Sequence, residues 1–95
     1  FVSLFLYKMQ ADWAQSLKEK LDQNHAWPDL YTFKFIVPAG KEKQVTELFP
    51  NHSYTQRPSK HGKYISVTVQ AMMQSSDAVI EIYQSASKIE GIVAL

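Results

Sequence analysis

Apolar and polar positions alternate most cleanly over residues 63–71, KYISVTVQA. Ile65, Val67 and Val69 share one side there, and Tyr64, Ser66, Thr68 and Gln70 the other. A period of two marks a strand, and one apolar plus one polar side predicts a sheet covered on a single face. LYTFKFIV (30–37) carries the same period, with Phe33, Phe35 and Val37 set against Thr32, Lys34 and Ile36. The period becomes helical in three places. In ADWAQSLKEKLDQ (11–23), Trp13, Leu17 and Leu21 line one side, while Lys18, Glu19, Lys20 and Asp22 cover the other. KEKQVTELF (41–49) predicts a short helix burying Val45, Leu48 and Phe49, stopped by Pro50. Ser75, Ser76 and Asp77 supply a cap and first-turn acidity for a third helix, whose buried stripe is Val79, Ile82 or Tyr83, Ala86 and Ile89. Gly91 suits its C-terminal cap, and GIVAL is a last strand. SYTQRPS (53–59) is a weaker strand, which Pro58 places at an edge.

The order is a helix followed by β-α-β-β-α-β. It predicts an α+β, ferredoxin-like sandwich: a four-stranded antiparallel sheet with two helices on one face, and an extra N-terminal helix. Right-handed crossovers then give the strand order 4-1-3-2. Residues 1–29 form an N-terminal extension and accessory helix, and 30–95 the ferredoxin-like domain. Between them NHAWPD is a linker, because Pro28 turns Trp27 away from helical backbone. The expected core is Phe33, Phe35, Val37, Val45, Leu48, Phe49, Ile65, Val67, Val69, Val79, Ile82, Ala86 and Ile89.

The hairpin RPSKHGKYISVTV (57–69) gathers the only arginine, two lysines, a histidine and a tyrosine around one glycine. A two-residue His61-Gly62 turn of type I′ sets Lys60 opposite Lys63, Pro58 opposite Ile65, Gln56 opposite Val67 and Tyr54 opposite Val69. Thr55, Arg57 and Ser59 then fall on the open face. The candidate ligand- or partner-binding residues are Lys34, Arg57, Lys60, Lys63, Tyr64 and Ser66. An arginine can grip a carboxylate or phosphate through two nitrogens, and a neighbouring tyrosine adds a ring and a hydroxyl. Lysines on an edge hairpin also have a plainer use, which is to discourage edge-to-edge association.

Composition narrows the function classes. At 95 residues, 45% hydrophobic and 20% charged, the chain reads as one folded domain. A net charge of +1 creates no global attraction to nucleic acid or anionic membrane. The absence of cysteine excludes disulfides, thiol nucleophiles and cysteine metal sites, and it suits a reducing cytoplasm. FVSLFLYKM at the amino end is shorter than the roughly 20 residues of a membrane span, and it has no basic leader region. Either it continues the first helix through Phe5 or Leu6 and Met9, or residues 1–8 stand upstream of a natural start at Met9.

His25, His52 and His61 show no metal-ligand spacing, and His25 and His52 read as solvated loop residues. Three glycines are too few for a phosphate-cradling loop, and no nucleophile elbow, Walker or dinucleotide motif occurs. No catalytic residue, metal or cofactor is therefore expected. The RNA-recognition module shares this element order but stacks bases on aromatics of its first and third strands, where this chain offers only Tyr64.

At YTFKFIVPAG, RPSKHGKYISVTV and IYQSASKIEGIVAL the sequence resembles the YbeD-like family of small bacterial domains of unknown function (domain of unknown function 493). The resemblance covers residues 30–95. It implies a cytoplasmic ferredoxin-like domain without known catalytic residues, a regulatory role with a suggested link to lipoate metabolism, and likeness to ACT-type ligand-sensing domains. Pro38, Ala39 and Gly40 match the effector loop of such domains only loosely. The expected function is a non-enzymatic regulatory or interaction module that takes a small anionic metabolite or a protein partner. A homodimer is a further expected state, and an RNA-binding module on the same face is the alternative.

Overall fold

A computed structural model describes residues 13–95, with side chains from Ala14 onward. The expectations for residues 1–12 and for the Trp13 side chain lie outside the described residues. The elements are α1 (Trp13–Asn24), β1 (Asp29–Pro38), α2 (Glu42–Thr46), β2 (Tyr54–Pro58), β3 (Tyr64–Met73), α3 (Ser76–Ala86) and β4 (Val93–Ala94). Among the described residues three helices accompany one four-stranded antiparallel sheet of order β2-β3-β1-β4.

β1 and β3 form the spine of the sheet. They pair from Asp29 with Met73 to Pro38 with Tyr64, so both central strands run longer than their alternating cores suggested. Phe33, Phe35 and Val37 from β1 meet Val67, Val69 and Ala71 from β3 on the helix side, all essentially sealed from water. α3 lays Val79, Ile80, Tyr83 and Ala86 over them. Tyr83, rather than Ile82, occupies the centre of that stripe. Ile82, Leu48 and Ile65, expected in the core, are only partly buried against it, whereas Leu21, Ile92 and Ala94 join it. The Ser75 hydroxyl accepts from the Ala78 N–H at 3.2 Å, the cap its sequence position predicted.

α2 stops after Thr46, and the chain then turns through Leu48 and Phe49 with i→i−3 hydrogen bonds. This helix is too short to cover β2. Tyr54, Gln56 and Pro58 point to the helix side yet stay exposed, as does the rest of β2. Gln56, on the same side as the buried Val67, therefore needs no buried partner.

Over its described residues α1 does not lie on the open sheet face. α1 packs against α3, burying Leu21 and part of Leu17. Lys18 Nζ donates to Ser76 Oγ at 3.0 Å and Asp77 Oδ1 at 3.2 Å. The linker is better ordered by contacts than expected. Trp27 Nε1 donates to Asp22 Oδ1 at 2.9 Å, and the His25 ring stacks on Trp27 with centroids 4.9 Å apart. His25 Nδ1 lies 2.8 Å from Asp29 Oδ2, so His25 is a half-buried joint between α1 and β1 rather than a solvated loop residue. His52 is exposed, as expected.

The β2–β3 register is the one the hairpin predicted, from Tyr54 with Val69 to Pro58 with Ile65. The turn itself differs. Gly62 N–H donates to the Ser59 carbonyl at 2.9 Å, and Ser59 N–H to the Tyr64 carbonyl at 2.8 Å. The loop is thus four residues, Lys60–Lys63, with Gly62 at φ +71° and no positive φ at His61. A type I′ turn would force a histidine into left-handed backbone. The longer loop leaves that conformation to the glycine alone. Lys60 and Lys63 therefore sit in the loop, not directly opposed in the ladder.

Candidate functional site

β1, β3 and β2 are neighbours in that order, so their registers build rows across the open face. Lys34, Thr68 and Thr55 make one row, and Ile36, Ser66 and Arg57 the next. Strands about 4.8 Å apart and rows about 6.8 Å apart put the Lys34 and Arg57 backbones roughly 12 Å from each other. Both side chains are long enough to reach one anionic group placed between them. Lys34, Thr55, Arg57, Ser66 and Thr68 line a shallow depression of about 280 Å³. A neighbouring hollow of about 450 Å³ is lined by Ser53, Tyr54, Thr55, Thr68 and Gln70.

Of the six candidate residues, the fold gathers Lys34, Arg57 and Ser66 in this depression. Tyr64 stands one row further on, opposite Pro38 and exposed. Lys60 and Lys63 lie at the exposed loop tip beyond it. Thr55 and Thr68 complete the depression. Their place on the open face was readable from alternation, but their adjacency to Lys34 depends on how β1 pairs with β3.

The electrostatics of the face are one-signed. Among the described residues no Asp or Glu falls on its strand positions, and neither Lys34 nor Arg57 has an ion-pair partner. The polar side chains there are lightly engaged. Ser66 Oγ donates to the Arg57 carbonyl at 3.3 Å, and Gln70 Nε2 donates to Thr32 Oγ1 at 3.5 Å. Hydroxyls and cations of this kind can bind a carboxylate or phosphate. Among the described residues no carboxylate or imidazole shares the strand positions of the face with Ser66, Thr55 and Thr68.

The shifted ionisable groups lie elsewhere. Burial pushes the Tyr83 hydroxyl far above its ordinary range, and that of Tyr31 up as well; the two share a 2.9 Å hydrogen bond inside the helix layer. Hydrogen bonding to His25 first, and to the Leu30 N–H, holds the Asp29 carboxyl below its usual range. Asp22 is lowered by the Ser76 hydroxyl and the Trp27 indole. These groups tie elements together and face away from the open sheet. Among the described residues no cluster of three His, Cys, Asp or Glu side chains could hold a metal, and no helix is long and apolar enough to cross a membrane.

The family described as Protein of unknown function (DUF493) matches residues 22–95, from the last three residues of α1 through β4. No curated protein and no solved structure matches the chain at a significant level.

Proposed function

The chain belongs to the DUF493 family, the YbeD-like family that its hairpin and last helix resemble, and we propose that it is a non-enzymatic regulatory or interaction domain whose open sheet face receives an anionic group between Lys34 and Arg57. Read from β4, its strand order is 4-1-3-2, which supports the ferredoxin-like and ACT-like reading of the architecture. The cysteine-free sequence supports a cytoplasmic site of action. One observation carries the proposal: among the described residues, two unpaired cations and three hydroxyls converge on a depression that no acidic side chain lines and no helix covers. Against the RNA alternative, Phe33, Phe35 and Tyr31 turn to the helix side, leaving Tyr64 as the exposed aromatic on this face.

Titration with citrate and with inorganic phosphate, followed by backbone amide shifts, tests this. The shifts should concentrate at Lys34, Thr55, Arg57, Ser66 and Thr68, and vanish in Lys34→Glu with Arg57→Glu while the melting temperature barely moves. Oligouridylate binding with a steep linear dependence on log salt would favour the RNA reading instead. Shifts scattered over the surface would sink the proposal.

A further inference from the structure

We infer that the open face docks an amphipathic helix of another protein, one carrying acidic residues between two apolar anchors; this rests on the anion-binding reading above. Five large apolar side chains are exposed among the described residues. Four of them stand on this one face: Leu30 at 51%, Met72 at 57%, Tyr64 at 49% and Val93 at 38% exposed. Singly scattered apolar side chains are normal, but these four share one face and stand at either end of two unpaired cations.

Their placement follows the ladder. Leu30 and Met72 are register partners and form an apolar pair at one end of β1 and β3. At the other end Val93 partners Ile36, and Tyr64 partners Pro38. Thr32 with Gln70 and Lys34 with Thr68 lie between. At about 3.4 Å per residue, the Leu30 and Ile36 rows are about 20 Å apart, and Lys34 is roughly 13 Å from Leu30. A helix covers about 20 Å in roughly 13 residues. Lying along β1 and β3, it would seat an apolar residue on Leu30 and Met72 and another near Ile36, Val93 and Tyr64. A carboxylate roughly nine residues from the first anchor would meet Lys34 and Arg57.

Charge and shape select this occupant. A second copy on the same face would offer Lys34 and Arg57 no carboxylate, because among the described residues no Asp or Glu stands on the strand positions of that face. A small metabolite fits poorly, since ligand sites enclose most of their ligand and this depression is a shallow one on a sheet. A helix laid on the face buries the apolar ends and neutralises the cations together, as α3 buries the opposite face.

The test is selection of a displayed library of random peptides, each about 16 residues or roughly 24 Å as a helix, on the intact chain. Two counter-variants are used after their melting is shown to match the parent: Lys34→Glu with Arg57→Glu, and Leu30→Ser with Met72→Ser. Enriched peptides should share Asp or Glu between apolar residues at helical spacing, and each double variant should weaken them about tenfold or more. Enriched peptides that lack acids, or that bind either variant equally, overturn the inference. So does a dimer of the chain that Leu30→Ser with Met72→Ser dissociates, or oligouridylate competing for the face. Citrate shifts at Lys34 and Arg57 with no enriched family would reject the helix while the anion-binding reading stands; loss of both rejects both.

Discussion

Gly62 and Gly91 both sit at positive φ, yet they do different work. At Gly62, φ is +71° and a Cβ would meet nothing within 4 Å, so only the backbone conformation resists a side chain. Gly62→Ala should therefore destabilise by about 1 kcal/mol. At Gly91, φ is +78° and a Cβ would approach Pro38 Cγ to 2.8 Å. A proline ring has little freedom to move aside, and Gly91 sets the turn between α3 and β4. Gly91→Ala should cost about 2 kcal/mol or more, the larger of the two losses. Urea titration of both variants checks the ranking, and equal midpoints would refute it. Both glycines could be singled out from the sequence, one as a turn and one as a cap. Only the contact with Pro38 separates them, and Pro38 lies 53 residues away in the chain.

α1 shows how an element's role depends on where it docks. Its amphipathic stripe required a partner, and three were open: the free sheet face, a second copy or the helix layer. The clamp of Lys18 on Ser76 and Asp77 sets it on α3, with Leu21 inside the main core. Leu21→Ala should then destabilise the whole domain by about 2–4 kcal/mol, through lost burial and the cavity left behind. An accessory helix could instead be lost with the sheet intact. Differential scanning calorimetry distinguishes these, since one transition shifted down is expected, and an unchanged main transition would make α1 separable. The family match beginning at residue 22 includes only the last three residues of this helix.

For the molecule as a whole, acid should act first at the joint between α1 and β1. Asp29 is held below its ordinary 3.8 by His25 and the Leu30 N–H, and Asp22 by Ser76 and Trp27. A carboxylate whose folded pKa is depressed contributes stability above its unfolded value, and that contribution is lost as pH falls through the folded one. Stability should accordingly decline below about pH 4, and Asp29→Asn should flatten that decline while lowering stability at neutral pH. Both carboxylates are solvent-accessible, so the effect should shrink in high salt. Denaturant midpoints between acid and neutral pH measure it. An identical acid limb in the variant would exclude Asp29 as a source.

The strands, the capped third helix and the β2–β3 register were legible in the chain because they rest on local rules: a period of two or 3.6, a cap at Ser75, a glycine near the turn. Lys34, Arg57 and Ser66 could be assigned to one face by the same alternation. Their neighbours Thr55 and Thr68 became part of a site through pairing of β1 with β3, which no local pattern specifies. Met72 was outside the expected strand because β3 runs on past Ala71, held there by its ladder with β1, and that ladder alone sets Leu30, already on the open side by alternation, against it. The exposure of β2 and the openness of the opposite face likewise follow from the brevity of α2 and the docking of α1 on α3. Burial is a property of what packs against a residue, and for these surfaces that partner lies far away in the sequence.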